Sequence, residues 1–288
     1  ELVGGLEVFD AVSQGVAEIG HSGAYYWQGK IPGTPFFSSI PFGMTSYEQD
    51  AWLRYGGGNE LWRELYAPFN LIPVRGGNSG VQMFGWFNKE INSLEDLQGL
   101  TMRIPSLGGE VFRRAGGVPV TMQVSEVFTA LQTGALDATE FVSPYNDLAA
   151  GYHTVAEYYY YPGWHEPGST LETIFNKEKF ESLPVDLQEI LMAGTEIMNQ
   201  LLLDELMARN NEALRVLVEE HDVQLRKLPN DVLTELHRIS EEVVSEMALV
   251  DEQTTRVFES WRNFRDNVIN YNRIAEEAFI EARNLPLD

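Results

Sequence analysis

Apolar and polar positions change between helical and strand spacing at short intervals from Leu6 to about Phe175. This alternation predicts an α/β fold built from successive strand and helix units. We expect strands at 23–26, 71–75, 81–87, 100–104, 118–122 and 136–142. We expect helices over 6–19, after the N-caps Thr45 and Asn59, from Ser93, from Ser106 to Gly116, and over 125–133.

The pattern changes after Pro184, where apolar residues recur at helical spacing to 226 and again from Pro229 to about 283. This spacing predicts that the last hundred residues are helical, with the two prolines at first-turn positions. The predicted helices exceed the usual length of about 11 to 12 residues. We therefore expect part of their apolar surface to pack against another subunit.

Composition limits the kinds of partner. The 288 residues carry 43 acidic and 20 basic side chains, a net charge of −23. This balance argues against nucleic acid and against anionic lipid, since both are bound by clustered Lys and Arg. A cleft that binds an anion in so acidic a protein needs its own local positive charge. The chain has no cysteine, which excludes disulfides and thiolate metal sites.

Four polar residues lie at or beside predicted strand ends, where α/β sheets bind their ligands: Gln82, Arg103, Glu140 and Glu166. A guanidinium at Arg103 can hold a carboxylate through two parallel hydrogen bonds. The alternative is a surface or ion-paired arginine, which is the more common case because most arginines are exposed. Glu140 interrupts an apolar strand and needs a partner unless it faces solvent. Glu166 lies in a loop rich in proline and glycine. The aromatic residues Tyr25, Tyr26, Trp27, Phe36 and Phe37 fit either a pocket wall or the core.

The charges of these candidates predict a cation. If Arg103, Glu140 and Glu166 share a cleft with an anionic ligand, one positive charge faces three negative ones. Such a surplus is unfavourable when buried unless a cation bridges the carboxylates. Two carboxylates, the Gln82 amide and a backbone carbonyl offer oxygen ligands, which favour Na⁺ or Ca²⁺ over zinc or copper.

Common enzyme motifs are missing from the sequence. It contains no Gly-x-Ser-x-Gly, no Walker loop and no Gly-x-Gly-x-x-Gly, and His153 and His165 are too far apart for a His-Glu-x-x-His site. We therefore predict a binding protein and not an enzyme. Two alternatives stay open: a metal-dependent enzyme that uses Glu140 or Glu166 as a base on a 2-oxo acid, and a ligand-sensing domain.

Several stretches resemble the solute-binding subunits of tripartite ATP-independent periplasmic (TRAP) transporters of the DctP type. The likeness covers nearly the whole chain and is strongest in residues 97–105, 107–111, 137–147, 158–168 and 259–261. The resemblance is closest to the branch that binds a small 2-oxo or hydroxy monocarboxylate, pyruvate-like or lactate-like, together with a metal ion. It implies that Arg103 holds the substrate carboxylate. It also implies further substrate contacts at Gln82, Tyr26, Phe141 and Asn146, and metal ligands at Gln82, Glu140, the Phe141 main chain and Glu166.

The resemblance also implies the architecture and the partners. It predicts a two-lobed periplasmic-binding-protein (Venus flytrap) fold, with lobe one at 1–82 and 170–288, lobe two at 83–169, and hinge strands at 81–87 and 170–176. It further predicts a homodimer through a long C-terminal helix, a periplasmic location, and delivery of the ligand to TRAP membrane permease subunits.

Two features depart from the family pattern. Phe141 stands where that branch commonly has tryptophan, so an indole contact is lost while a backbone ligand remains available. Relatives usually begin with a strand, a helix and a strand before Glu1, which leads us to expect that this unit and a signal peptide are missing from the given chain.

Overall fold

The computed structural model describes residues 2–286, which form two β-sheets covered by helices. The strands in this part of the chain are Ile19–Ser22 (β1), Leu71–Asn78 (β2), Gly85–Phe87 (β3), Thr101–Arg103 (β4), Val118–Val120 (β5), Ala138–Thr139 (β6), Tyr158–Tyr161 (β7), Thr170–Asn176 (β8) and Gln224–Lys227 (β9). The helices are Val8–Ser13 (α1), Ser46–Tyr55 (α2), Gly58–Tyr66 (α3), Ser106–Arg114 (α4), Val124–Thr133 (α5), Pro144–Ala150 (α6), Lys177–Glu181 (α7), Val185–Glu219 (α8), Asn230–Met247 (α9), Glu252–Ile274 (α10) and Glu276–Arg283 (α11).

The first sheet has three antiparallel strands in the order β1, β8, β2. The central strand β8 is buried at six of its seven residues, because it is paired along both edges and packed on both faces. The register of β2 against β8 shifts between Arg75 and Gly77. At this bulge a Cβ on Gly76 would lie 2.3 Å from the Thr173 hydroxyl oxygen. A glycine at this bulge lets β2 stay close to β8.

The second sheet has six strands in the order β5, β4, β6, β3, β7, β9. The strands β5, β4 and β6 are parallel to one another, whereas β3 is antiparallel to both of its neighbours. In the register, Arg103 at the end of β4 lies beside Thr139 at the end of β6. Glu140 directly follows β6, so the arginine and the glutamate meet at the same edge of the sheet.

The long C-terminal helices confirm the helical prediction for most of the last hundred residues. The 35-residue α8 carries several exposed apolar side chains, among them Val185, Ile190, Ile197, Leu201 and Met207. None of the helices in residues 2–286 combines the length and the apolar character that a bilayer crossing requires.

Several predicted elements differ from the structure. The helix expected over 6–19 ends at Ser13. The strand expected at 23–26 is wrong, because Ala24–Trp27 form a 3-10 helix and the strand β1 precedes it. The helix predicted after Asn59 starts at Gly58, because Gly57 adopts the left-handed conformation that precedes it. The strand predicted at 81–87 is confined to 85–87. Finally, β9 lies within the region predicted to be wholly helical.

Candidate functional site

Arg103 and Glu140 form a buried ion pair at the edge of the second sheet. Their side chains are 4% and 1% exposed, and Nη1 of the guanidinium binds Oε1 of the carboxylate. Burial acts against the charge of Arg103, but the adjacent Glu140 carboxylate, together with Tyr26 and Tyr25, outweighs it and raises the pKa of the guanidinium. The structure therefore supplies the permanently charged cation that the sequence requires for an anion site.

Glu166 reaches the same cluster from the loop after β7. Its carboxylate Oε2 accepts a hydrogen bond of 2.7 Å from the Gln82 side-chain amide. Burial, and then the nearby Glu140 carboxylate, raises the pKa of Glu166 to about 8. The other amide atom, Gln82 Oε1, is buried and has no hydrogen-bond partner within residues 2–286. A buried polar atom without a partner costs about 1–3 kcal/mol, so this oxygen is available for a ligand or an ion.

The loop that carries Glu166 is held by backbone hydrogen bonds to residue 82. The Gly163 amide donates to the Gln82 carbonyl at 3.0 Å, and the Gln82 amide donates to the Glu166 carbonyl at 3.1 Å. An added Cβ at Gly163 would lie 2.1 Å from the Gln82 carbonyl oxygen. Glycine is therefore required for this close approach, which sets Gln82 and Glu166 side by side.

His165 is a member of the cluster that the sequence analysis missed. Its imidazole is about 1% exposed, and its Nε2 atom lies 3.5 Å from Glu140 Oε2. Ligand atoms of Glu140, His165 and Glu166 all lie within 4.8 Å of one another. In the sequence, the one sign of its role is its position directly before Glu166. That sign is weak, because most histidines are surface or core residues and not ligands.

Two tyrosines approach the cluster from the 3-10 helix Ala24–Trp27. The Tyr26 hydroxyl accepts a hydrogen bond from Arg103 Nη2 at 3.3 Å, and both residues line a cleft of about 260 Å³. Burial, and then the Glu166 carboxylate, raises the pKa of Tyr25, with smaller effects from Tyr26 and Glu140. In contrast, Trp27, Phe36 and Phe37 are buried in the main hydrophobic core and do not line a pocket.

Phe141 and Asn146 lie farther along the same segment. The Phe141 ring packs edge-on against Tyr152, with 5.7 Å between centroids, at the second hydrophobic core. Asn146, on α6, has a buried side-chain oxygen without a hydrogen-bond partner among the described residues. The contacts of Asn146 do not join it to Arg103 or Glu140.

The chemistry of the cluster fits a hard cation. Two buried carboxylates lie together, and the only positive side chain that contacts them within residues 2–286 is Arg103. The unpartnered Gln82 amide oxygen adds a neutral oxygen donor. Oxygen donors of this kind are the ligands that Na⁺ and Ca²⁺ prefer.

Comparison with known proteins shows the family of the chain. The family model described as bacterial extracellular solute-binding protein, family 7 (DctP), matches residues 1–251. A monocarboxylate 2-oxoacid-binding periplasmic protein from Nostoc sp. is 41% identical over 279 residues, which is 97% of this chain and 76% of that protein.

Solved structures give the same result. A TRAP periplasmic solute-binding protein from Pseudoalteromonas atlantica, with bound sodium and pyruvate, superposes with a TM-score of 0.92 at 40% identity, over 96% of this chain and 84% of that one. A second from Colwellia psychrerythraea, with calcium and pyruvate, gives 0.93 at 38% identity with the same coverage. A third from Bordetella bronchiseptica, a dimer with calcium and picolinate, gives 0.95 at 33% identity, over 98% of this chain and 84% of that one.

Proposed function

The chain belongs to the DctP family of bacterial extracellular solute-binding proteins, and from this premise we propose that it captures a small 2-oxo or hydroxy monocarboxylate together with Na⁺ or Ca²⁺. The protein works in the periplasm and delivers the closed, loaded form to the membrane permease of a TRAP transporter. Relatives named for 2-oxoacids or solved with pyruvate support a pyruvate-like or lactate-like ligand.

The observation that carries this proposal is the buried cluster of Arg103, Glu140 and Glu166. An acid placed against Arg103 meets the Glu140 carboxylate at short range in a medium of low dielectric constant, where repulsion is strong. Burial and Glu140 already raise the pKa of Glu166 to about 8, so this second carboxyl is held ionised only if a positive charge lies beside it. A bound cation supplies the missing positive charge and links the ligand to both glutamates. The cluster therefore favours an acid and a cation that bind together.

Each residue has a defined part in this proposal. Arg103 holds the ligand carboxylate, and its contact with the Tyr26 hydroxyl keeps the guanidinium oriented toward the cleft. The cation takes its oxygen ligands from the side chains of Gln82, Glu140 and Glu166 and from the Phe141 carbonyl. Gln82 also borders the acid. Asn146 provides a further polar contact, because its buried amide oxygen can accept a hydrogen bond from the hydroxyl group of a hydroxy acid.

We further propose that lobe one comprises 1–82 and 170–288 and lobe two comprises 83–169, with hinge segments at 81–87 and 170–176. The two sheets support this division, with the exception of β9, which joins the second sheet from the C-terminal region. The exposed apolar residues of α8 support a homodimer through this helix.

Binding without turnover is the central claim, and one experiment separates it from catalysis. Protein stripped of ligand and metal is incubated with pyruvate, lactate and longer 2-oxo acids, with and without Ca²⁺ or Na⁺. We expect the melting temperature to rise only with acid and cation together, and the acid to be recovered intact. Chemical conversion of the acid would refute this proposal and favour an enzyme with Glu140 or Glu166 as base. Stabilisation by the cation alone would refute joint binding.

A further inference from the structure

We propose that His165 supplies a nitrogen ligand to the cation, so that the centre binds Mn²⁺ as well as Na⁺ or Ca²⁺. The inference rests on the proposed function, because it concerns the same cation. It differs from the oxygen-only ligand set predicted from the sequence, and it changes the class of metal that the protein accepts. An imidazole ligand favours transition ions, whereas Na⁺ and Ca²⁺ prefer oxygen.

The first argument is that the imidazole of His165 has no hydrogen-bond partner. Both ring nitrogens are buried and neither makes a hydrogen bond to any described residue. A histidine packed as a core residue normally uses at least one nitrogen as a donor or acceptor. One of the ring nitrogens lies instead within 4.8 Å of carboxylate oxygens of both Glu140 and Glu166.

The second argument is the distance between His165 Nε2 and Glu140 Oε2. At 3.5 Å it exceeds the usual N–H···O range of about 2.7 to 3.2 Å. Two ligands of one ion, each about 2.0 to 2.3 Å from the metal, are separated by about 3 to 4 Å. The separation therefore suits a shared ion better than a direct hydrogen bond.

The third argument is that the neighbouring contacts orient the three groups. Arg103 binds Glu140 Oε1, which leaves Oε2 toward His165, and Gln82 holds Oε2 of Glu166. The imidazole is fixed edge-on against Phe84 and Trp164, with ring centroids 5.8 and 5.7 Å away. The set is preorganised, so little side-chain freedom is lost when an ion binds.

Metal affinity provides the first test. Full-length protein is stripped of metal, and Mn²⁺ and Ca²⁺ are titrated in the presence of pyruvate. We expect His165→Phe to lower the affinity for Mn²⁺ at least about tenfold more than the affinity for Ca²⁺, because the lost donor is a nitrogen. His165→Asn replaces the imidazole by an amide that offers an oxygen, so this variant should also prefer Ca²⁺ over Mn²⁺ more strongly than wild type does. An unchanged ratio of the two affinities in both variants would overturn the proposal.

Spectroscopy gives a readout that a structural role would not change. Electron spin echo envelope modulation of the protein loaded with Mn²⁺ and pyruvate should show the nitrogen coupling of a bound imidazole. The coupling should disappear in His165→Phe and persist in the control His153→Phe, which alters a half-buried histidine outside the cluster. Wild-type protein that binds Mn²⁺ without this coupling disproves the nitrogen ligand, whether or not the variants fold.

The outcomes also separate this inference from the proposed function. If pyruvate binds with Ca²⁺ and the Mn²⁺ form lacks the nitrogen coupling, only the role of His165 is wrong. If pyruvate binds with none of the three cations, the proposed function is wrong and the inference falls with it.

Discussion

Arg103 and Glu140 are joined side chain to side chain where two parallel strands end next to each other. Both side chains of the pair are buried, so water does not solvate either charge. A buried pair of this kind adds little stability by itself, but the loss of one partner leaves a costly charge. Changes at this pair therefore affect ligand binding and stability together.

We predict that Arg103→Ala abolishes acid binding while the protein still folds. The variant loses two charge-assisted hydrogen bonds to the carboxylate, and we expect the affinity to fall at least about 100-fold in calorimetry. Its melting temperature should also fall, because Glu140 loses its buried partner. The control Arg113→Ala changes an exposed arginine on α4 and should bind normally. Unchanged affinity in Arg103→Ala would exclude the role assigned to the arginine.

We predict that Glu166→Gln weakens acid binding mainly by weakening the cation. The amide keeps an oxygen donor but removes a negative charge, so higher Ca²⁺ or Na⁺ should restore the affinity for the acid. Calorimetry at increasing cation concentrations measures this rescue, with the exposed Glu178→Gln as a control that needs none. Failure of rescue, with metal content unchanged, would place Glu166 outside the cation site.

We predict that Gly163→Ala separates Gln82 from Glu166. The new Cβ would lie 2.1 Å from the Gln82 carbonyl oxygen, so the loop must move away from Gln82. We expect a loss of stability of about 1–3 kcal/mol and weaker cation binding, measured by denaturant unfolding and by calorimetry. Gly29→Ala is the matched control, because no heavy atom lies within 4 Å of the added Cβ. Equal behaviour of the two variants would contradict the close approach.

We predict that stability depends on pH through Glu172. This carboxylate on β8 accepts hydrogen bonds from Trp27 and Tyr66, yet burial raises its pKa to about 7. The folded protein therefore holds a proton that the unfolded chain releases near pH 4.5. The contribution of Glu172 to the free energy of unfolding should be fully present below that pH, and it should fall by on the order of 3 kcal/mol as the pH rises through about 7.

Glu172→Gln tests this dependence, because an amide can accept from Trp27 and donate to the Tyr66 hydroxyl oxygen. Urea unfolding at several pH values should show a flatter profile than wild type. The remaining slope should come from Asp147, whose pKa burial also raises to about 7, and from Glu166, whose pKa is raised to about 8. The exposed Glu95→Gln should keep the wild-type profile. A variant that follows the wild-type curve would show that Glu172 does not titrate in this window.

Much of the site could be predicted because its charged residues lie at the ends of apolar strands. Arg103 and Glu140 stand out in sequence, and parallel strands bring their carboxyl ends to one edge. His165 could not be predicted, because its role depends on distances to residues 25 positions away in the chain. The strand β9 was missed for a similar reason: its four residues are polar or half-buried, and pairing with β7 decides their conformation.

The same pairing has a consequence for how the chain acquires its structure. The second sheet takes its last strand from residues 224–227, which follow the 35-residue α8. Until that part of the chain is available, the row of tyrosines Tyr158–Tyr161 has an open edge that can pair with another molecule. We expect a nascent or truncated protein that ends before β9 to be prone to aggregation, so folding completes only after most of the polypeptide has been released.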